Sequence, residues 1–340
     1  MTQVNGVDLA SRVLGGSAVA ASDESFGVKE RLVDPAEPAF VPGTYDLRGE
    51  VVDGWETRRH AGPEGDWVVV RLGTPGQVTA VDVDTRFFSG NHPTACSVQA
   101  CLLDRTADPT AEDVAWAQLV EHTELKADSH NVFAVDDRRR WTHVRLRLAS
   151  DGGVARLRVY GTVIPDPADW KDITVEMSGV EQGGRVEWCS DSFYSHAYGV
   201  ISPDRPRNMG DGWETRRRRD IGPDSHDAVI ISFAVPADLL RIEVDTSYFV
   251  FNASLAVSVL GSRCSPDGRH GWAMVPFDVP VLEKTTLARD ARQVFRVDAR
   301  DITALRVAAY PDGGIARIRA FGTPTDGGIT RLRRRWERSS

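Results

Sequence analysis

Asp53-Gly54-Trp55-Glu56-Thr57-Arg58-Arg59 gathers two carboxylates, an indole and two guanidinium groups into seven residues, and the same seven return unchanged as Asp211 to Arg217. Arg58 and Arg59, or Arg216 and Arg217, offer planar forks suited to a small carboxylate. Glu56 or Glu214 can accept from amide-type N–H groups, and Trp55 can form an apolar wall. A purely structural reading is equally open, in which Glu56 pairs with an arginine and Trp55 packs in the core.

Two further stretches carry candidate chemistry. Asp84-Thr85 leads through Phe88-Ser89-Gly90-Asn91-His92-Pro93, where Gly90 and Asn91 allow a sharp turn that leaves Asn91 and His92 at a rim beside Asp84. An imidazole ordinarily changes charge near neutral pH, so His92 is a candidate proton carrier, although a lone surface histidine is the plainer reading. The corresponding run, from Asp245 through Phe249-Val250-Phe251-Asn252-Ala253, keeps the asparagine and loses the glycine and histidine. The third stretch, Asp151-Gly152-Gly153 with Arg156, returns as Asp312-Gly313-Gly314 with Arg317. Its glycines read as a hairpin turn with a surface salt bridge. His143 precedes it, and Ala304 stands at the equivalent place in the second copy.

The repeats lie 158 to 161 residues apart, so each copy is a full domain rather than a solenoid unit. Ser22-Asp23 and Phe26 echo Ser190-Asp191 and Phe193. This places the first repeat at 20–165 and the second at 188–324, with an N-terminal tail at 1–19 and a basic, solvated C-terminal tail at 325–340. The first copy carries a longer loop containing Pro35, Pro38 and Pro42. Short β-rich runs at Val68–Leu72, Val78–Asp84, Val144–Leu148 and Val154–Tyr160 are punctuated by Gly73 and Pro75-Gly76. Asp151-Gly152-Gly153 is expected to join the last two as a hairpin. Asp82 and Asp84 alternate with valines and so point away from the core. Only Thr110 to Val120 hints at helix. The fold expected is all-β: two tandem β-sandwich (jelly-roll) domains from an internal duplication.

The chain has 340 residues, 41% hydrophobic and 26% charged, which is ordinary for two folded domains. A formal charge of −8 gives no electrostatic case for nucleic acid. No apolar run approaches the roughly 20 residues that span a bilayer, and no basic-then-apolar leader opens the chain. A cytoplasmic protein without membrane partners is expected. Cys96, Cys101, Cys189 and Cys264 form no CxxC pair and are not matched between copies, so reduced packing thiols are expected rather than disulfides or a zinc site. No phosphate loop, nucleophile elbow or H-E-x-x-H helix is present, and Asp191 with His196 has no recognisable ligand spacing. The sequence requires no cofactor and leaves a divalent metal open.

The chain resembles the allantoicase family, whose members show a doubled D-G-W-E-[ST]-R-R, a V-D-T-x-x-F-x-G-N-x-P segment and a P-D-G-G-[IV]-A-R-L-R run. Here these are Asp53–Arg59 and Asp211–Arg217, Val83 to Pro93, and Tyr310 to Arg319. The resemblance spans about residues 20 to 324 and implies a tandem jelly roll, a homo-oligomer, and hydrolysis of allantoate to ureidoglycolate and urea. Such a substrate needs a cation for its carboxylate, acceptors for ureido N–H groups and an acid for the departing nitrogen. On that chemistry Arg58 or Arg59 holds the carboxylate, Glu56 and Asp84 accept from ureido groups, Asn91 orients a carbonyl, and His92 or His143 moves the proton. Trp55 is a wall, and Glu214, Arg216, Arg217 and Asp245 are the second copy's substrate-binding counterparts. Because His92, Gly90 and His143 are confined to the first copy, one site per chain is expected, from the first copy or an interface between copies. Alternatives are a non-catalytic module that binds a ureide or sugar, and a diverged, inactive paralogue.

Overall fold

Alternating valines make Trp67–Asp84 one 18-residue strand rather than two. Its inward positions are Val68, Val70, Leu72 and Val78, then Val81 and Val83, so the apolar parity flips once. The flip coincides with a register shift where Gly161 and Tyr160 face Val78 and Ala80. An extra residue there turns the strand and re-aims its side chains. In the computed structural model, which describes residues 6–60, 65–104, 106–220, 222–266 and 271–340, the chain divides into two units: residues 1–164 with 337–340, and residues 165–336.

The first unit contains β1 (Val7–Asp8), β2 (Ser17–Ala21), β3 (Tyr45–Asp46), β4 (Gly49–Glu50), β5 (Trp55–Glu56), β6 (Trp67–Asp84), β7 (Ala95–Cys101), β8 (Ala117–Glu124), β9 (His130–Ala134), β10 (Arg140–Leu148), β11 (Gly153–Val154) and β12 (Arg156–Val163). All pairings are antiparallel. The first half of β6 lies between β2 and β10, and β10 continues to β7 and β8. The second half of β6 lies between β12 and β9, with β1 beyond β12. One long strand thus serves both layers of a jelly-roll sandwich, turning at the corner. Val70, Val81, Val98, Leu146, Leu157 and Val159 fill the space between.

The second unit repeats the plan with β13 (Val175–Glu176), β14 (Arg185–Cys189), β15 (Trp213–Glu214), β16 (Asp227–Asp245), β17 (Ala256–Ser262), β18 (Val279–Thr286), β19 (Arg292–Tyr310), β20 (Gly314–Ile315) and β21 (Arg317–Pro324). Here β19 runs continuously where the first unit has β9 and β10, pairing along both halves of β16.

Five sequence expectations change. Residues 7–19 are no tail: β1 pairs with β12, and Leu9 and Ala10 are buried; residues 1–5 of that expected tail lie outside the described residues. The second repeat likewise starts before residue 188, because β13 pairs with β21. The basic C-terminal stretch is a helix, α1 (Asp326–Arg338), that buries Leu332 in the second core. Its arginines share a helix with an apolar anchor, which composition alone does not reveal. Thr110 to Val120 is turn and bend running into β8, since Gln118 and Val120 pair with β7. Asp151-Gly152-Gly153 is not a hairpin, because β10 and β12 flank β6 and do not pair with each other.

Among the described residues no helix is long and apolar enough to cross a membrane. The cysteines are free, and burial pushes the Cys96 and Cys101 thiols up to about 12, so neither is a nucleophile near neutral pH.

Candidate functional site

The seven-residue motif is held between two loops. β5 pairs with β11, setting Trp55 opposite Val154 and Glu56 opposite Gly153, while Gly27 bridges Glu56 from the other side. Trp55 is fully buried, and its indole N–H donates to the Asp23 carbonyl at 2.8 Å. It anchors the segment and is not an exposed wall. Thr57 N–H donates to the Gly152 carbonyl at 3.2 Å, and Gly152 N–H returns to Thr57 Oγ1 at 3.2 Å. Arg58 N–H donates to Asp23 Oδ1 at 2.7 Å.

These contacts aim Glu56 at the asparagine loop. Asn91 Nδ2 donates to Glu56 Oε1 at 2.7 Å, and Gly153 N–H donates to the Asn91 carbonyl at 2.8 Å. Gly152 adopts φ +148°, and a Cβ there would lie 2.6 Å from the Asn91 oxygen, so only glycine permits this approach. Burial pushes the Glu56 carboxyl above its ordinary range, opposed by the Asn91 amide and the Arg59 charge. Arg58 is 64% exposed with its guanidinium 3.8 Å from Asp23 Oδ2, and Arg59 is exposed. His92 follows Asn91, half-buried, with Nδ1 buried and without a hydrogen-bond partner. The result is a half-buried carboxyl whose proton affinity burial raises, with the Arg59 charge acting on it and Arg58 exposed two residues on.

Asp84 and His143 are placed elsewhere. Both Asp84 oxygens accept from the Arg86 guanidinium at 2.6 to 3.0 Å, and Arg86 N–H adds a bond at 2.9 Å. Asp84 points away from the core, as its alternation predicts, but that face is covered too. His143 sits inside β10 opposite Arg71 and Cys101, roughly 17 Å along the strand from Leu148 at about 3.3 Å per residue. Burial, and then the Arg71 charge, push its pKa down to about 4.

The His143 shift has a measurable consequence. The unfolded chain takes up this proton near pH 6.5 and the folded chain only near 4, so stability is present above 6.5 and lost as pH falls between the two. His143→Gln is expected to remove up to about 1.4 kcal/mol per pH unit from that decline. Guanidinium unfolding between pH 7 and 4 reads the slope, and parallel slopes in wild type and variant would refute the assignment.

The second unit builds the same frame. Trp213 Nε1 donates to the Asp191 carbonyl at 2.8 Å, Arg216 N–H to Asp191 Oδ1 at 2.8 Å, and Gly313 N–H to Thr215 Oγ1 at 2.7 Å. Asn252 Nδ2 donates to Glu214 Oε1 at 2.6 Å. Arg217 is exposed, and Asp245 accepts from Ser247 N–H at 2.8 Å. The frame aspartates Asp23 and Asp191 were legible only as a doubled Ser-Asp, and nothing local in the sequence marks them as caps for the arginine backbone. The matching contacts align Gly27 with Ser195, so Phe26 corresponds to Tyr194 rather than Phe193. Among the described residues, no group of three His, Cys, Asp or Glu side chains is placed to hold a metal ion.

Arg156 and Arg317, expected at the surface, are buried beneath the loops that lead into the motif. Arg156 reaches Asp53 Oδ2 at 2.7 Å, and Arg317 reaches Asp204 Oδ1 at 2.8 Å.

A family model described as the allantoicase repeat matches residues 7–164 and 175–325. A probable allantoicase of Nocardia farcinica is 44% identical over 322 residues, covering 93% of this chain and 93% of that protein. A probable allantoicase of Streptomyces coelicolor is 40% identical over 341 residues, covering 96% and 87%. The crystal structure of allantoicase from Saccharomyces cerevisiae is similar with a TM-score of 0.76 at 30% identity, covering 93% of each chain.

Proposed function

The chain belongs to the allantoicase family and hydrolyses allantoate to ureidoglycolate and urea; we propose that it does so at the Glu56–Asn91 pair of the first repeat. The observation that carries this placement is a carboxyl whose pKa burial raises, fixed by an amide at 2.7 Å beside exposed Arg58 and Arg59.

The substrate carboxylate binds the Arg58 and Arg59 guanidinium groups. The bond between the central carbon and one ureido nitrogen breaks, the electron pair leaves with nitrogen, and that nitrogen takes the proton from Glu56. Water then bonds through oxygen to the central carbon and returns a proton to Glu56. Water thus supplies the hydroxyl of ureidoglycolate and the new N–H of urea. Asn91 is a positioning residue that fixes Glu56 Oε1 and leaves Oε2 for the proton. His92, one residue on, relays protons between Glu56 and solvent, a relay that the second repeat lacks.

A cytoplasmic location and self-assembly belong to the same reading. Four free thiols support the first and exposed Leu47, Phe251 and Tyr45 the second. The test is urea release from allantoate by the purified chain, across about pH 5 to 9 and with or without divalent cations. One urea per allantoate is expected. Allantoate binding seen by calorimetry without any urea would replace the enzyme by a binding module.

A further inference from the structure

The second repeat retains the acid, amide and cation of the first site and loses the histidines that flank it. Glu214, Asn252, Thr215, Trp213 and Arg216 make the side-chain and cap contacts of Glu56, Asn91, Thr57, Trp55 and Arg58, whereas Gly314 N–H donates to Ser254 Oγ at 3.0 Å where Gly153 N–H meets the Asn91 carbonyl. The two histidines that flank the first motif are both replaced: His60 by Arg218, which ties itself to Asp227 at 3.0 Å, and His92 by buried Ala253. His196 is engaged locally, stacked on Tyr198 at 3.8 Å with its Nδ1 accepting from Tyr198 N–H at 3.3 Å.

The rim has changed in a second way. The Arg216 guanidinium lies over the Phe193 ring at 4.5 Å while 3.8 Å from Asp191, so it is held ready in one orientation. Phe193 packs edge-on against Tyr194 at 4.8 Å, and Met209 Sδ lies 3.5 Å from the Asn252 amide. Phe193 and Tyr194 are nonetheless well exposed. Exposed aromatic faces beside a preoriented cation suit a small ligand with a carboxylate and flat amide groups.

From these observations, and resting on the first-repeat assignment above, we propose that the second repeat holds an independent site that binds a small ureido carboxylate without hydrolysing it. The chain then has two ligand sites and one reaction centre.

Calorimetric titration of the full-length E56Q chain with allantoate tests it, since glutamine keeps the shape of the first site while slowing turnover far below the time of a titration. Two equivalents per chain are expected, falling to one in E56Q/R216A. A single equivalent that R216A abolishes supports the proposal as well. One equivalent that R216A leaves unaltered overturns it. If instead R216A abolishes urea release while E56Q still turns over, the repeats exchange roles and the first-repeat assignment itself fails. Thermal unfolding of each variant checks the fold, which the largely exposed Arg216 side chain should not disturb.

Discussion

Glu56→Gln is expected to slow urea release from allantoate by about 10²- to 10⁴-fold, the usual contribution of a positioned acid. Glutamine keeps an oxygen for the Asn91 amide and the same volume, so the β5–β11 pairing and the unfolding midpoint should stay close to wild type. What it removes is the proton that burial helps Glu56 retain. Because this carboxyl is raised rather than depressed, the wild-type rate should fall at high pH as Glu56 ionises, and the residual rate of the variant should lack that limb. Binding of allantoate to the variant should persist, since Arg58 and Arg59 are untouched, so the loss falls on kcat more than KM. A rate within about threefold of wild type in a folded variant would remove Glu56 from the chemistry.

Arg156→Met is expected to cost the first unit about 3 to 5 kcal/mol, the range for breaking a buried ion pair by removing one partner. The Arg156 side chain is 2% exposed and gives Nε to Ala36 O at 3.0 Å, Nη1 to Asp53 O at 3.1 Å and Ala155 O at 2.7 Å, and Nη2 to Asp53 Oδ2 at 2.7 Å. Methionine fills part of the space and satisfies none of these acceptors, so the Ala36, Asp53 and Ala155 carbonyls lose their guanidinium donor and the Asp53 carboxylate keeps only the Ala39 N–H and solvent. Burial alone would push the Asp53 carboxyl up; the Arg156 hydrogen bond, the Ala39 N–H and the Arg156 charge outweigh it and hold the group below its ordinary range. That contribution is present above the ordinary carboxylate pKa and is lost as pH falls from there through the lowered value of the folded chain, so the variant should also lose part of its acid sensitivity. At about 2 to 4 °C per kcal/mol for a unit of this size, scanning calorimetry should show one transition lowered by roughly 6 to 20 °C. A shift below about 2 °C would show that the cluster is dispensable.

The all-β fold, the duplication and the motifs of the site were legible because each is a local pattern. Strand periodicity, turn glycines and a seven-residue identity are written in neighbouring letters. Glu56, Asn91, Arg58 and Arg59 stand out in such strings, and the structure brings Glu56 and Asn91 together. Asp84 and His143 stand out only by their chemistry. Nothing adjacent to Asp84 except Arg86 signals that it is taken, and nothing near His143 shows that its position inside β10 buries it. The hairpin expected at Asp151-Gly152-Gly153 failed for a related reason. Turn residues fix local φ, whereas the choice of pairing partner is made across the sheet, where β6 intervenes.

Repeated strings of residue types specify two homologous jelly rolls, each carrying the same acid, amide and cation. What each copy does with them depends on segments that meet only in the folded chain. Asp53 and Asp211 occupy the same place in identical motifs, yet Asp53 pairs with the buried Arg156, while Asp211 pairs with Arg207 at 3.0 Å and leaves Arg317 to Asp204. The longer loop before the first motif and the shorter one before the second bring different residues over the same arginine. Burial, partner choice and proton affinity come from segments distant in the chain converging in space, and no local string encodes that convergence.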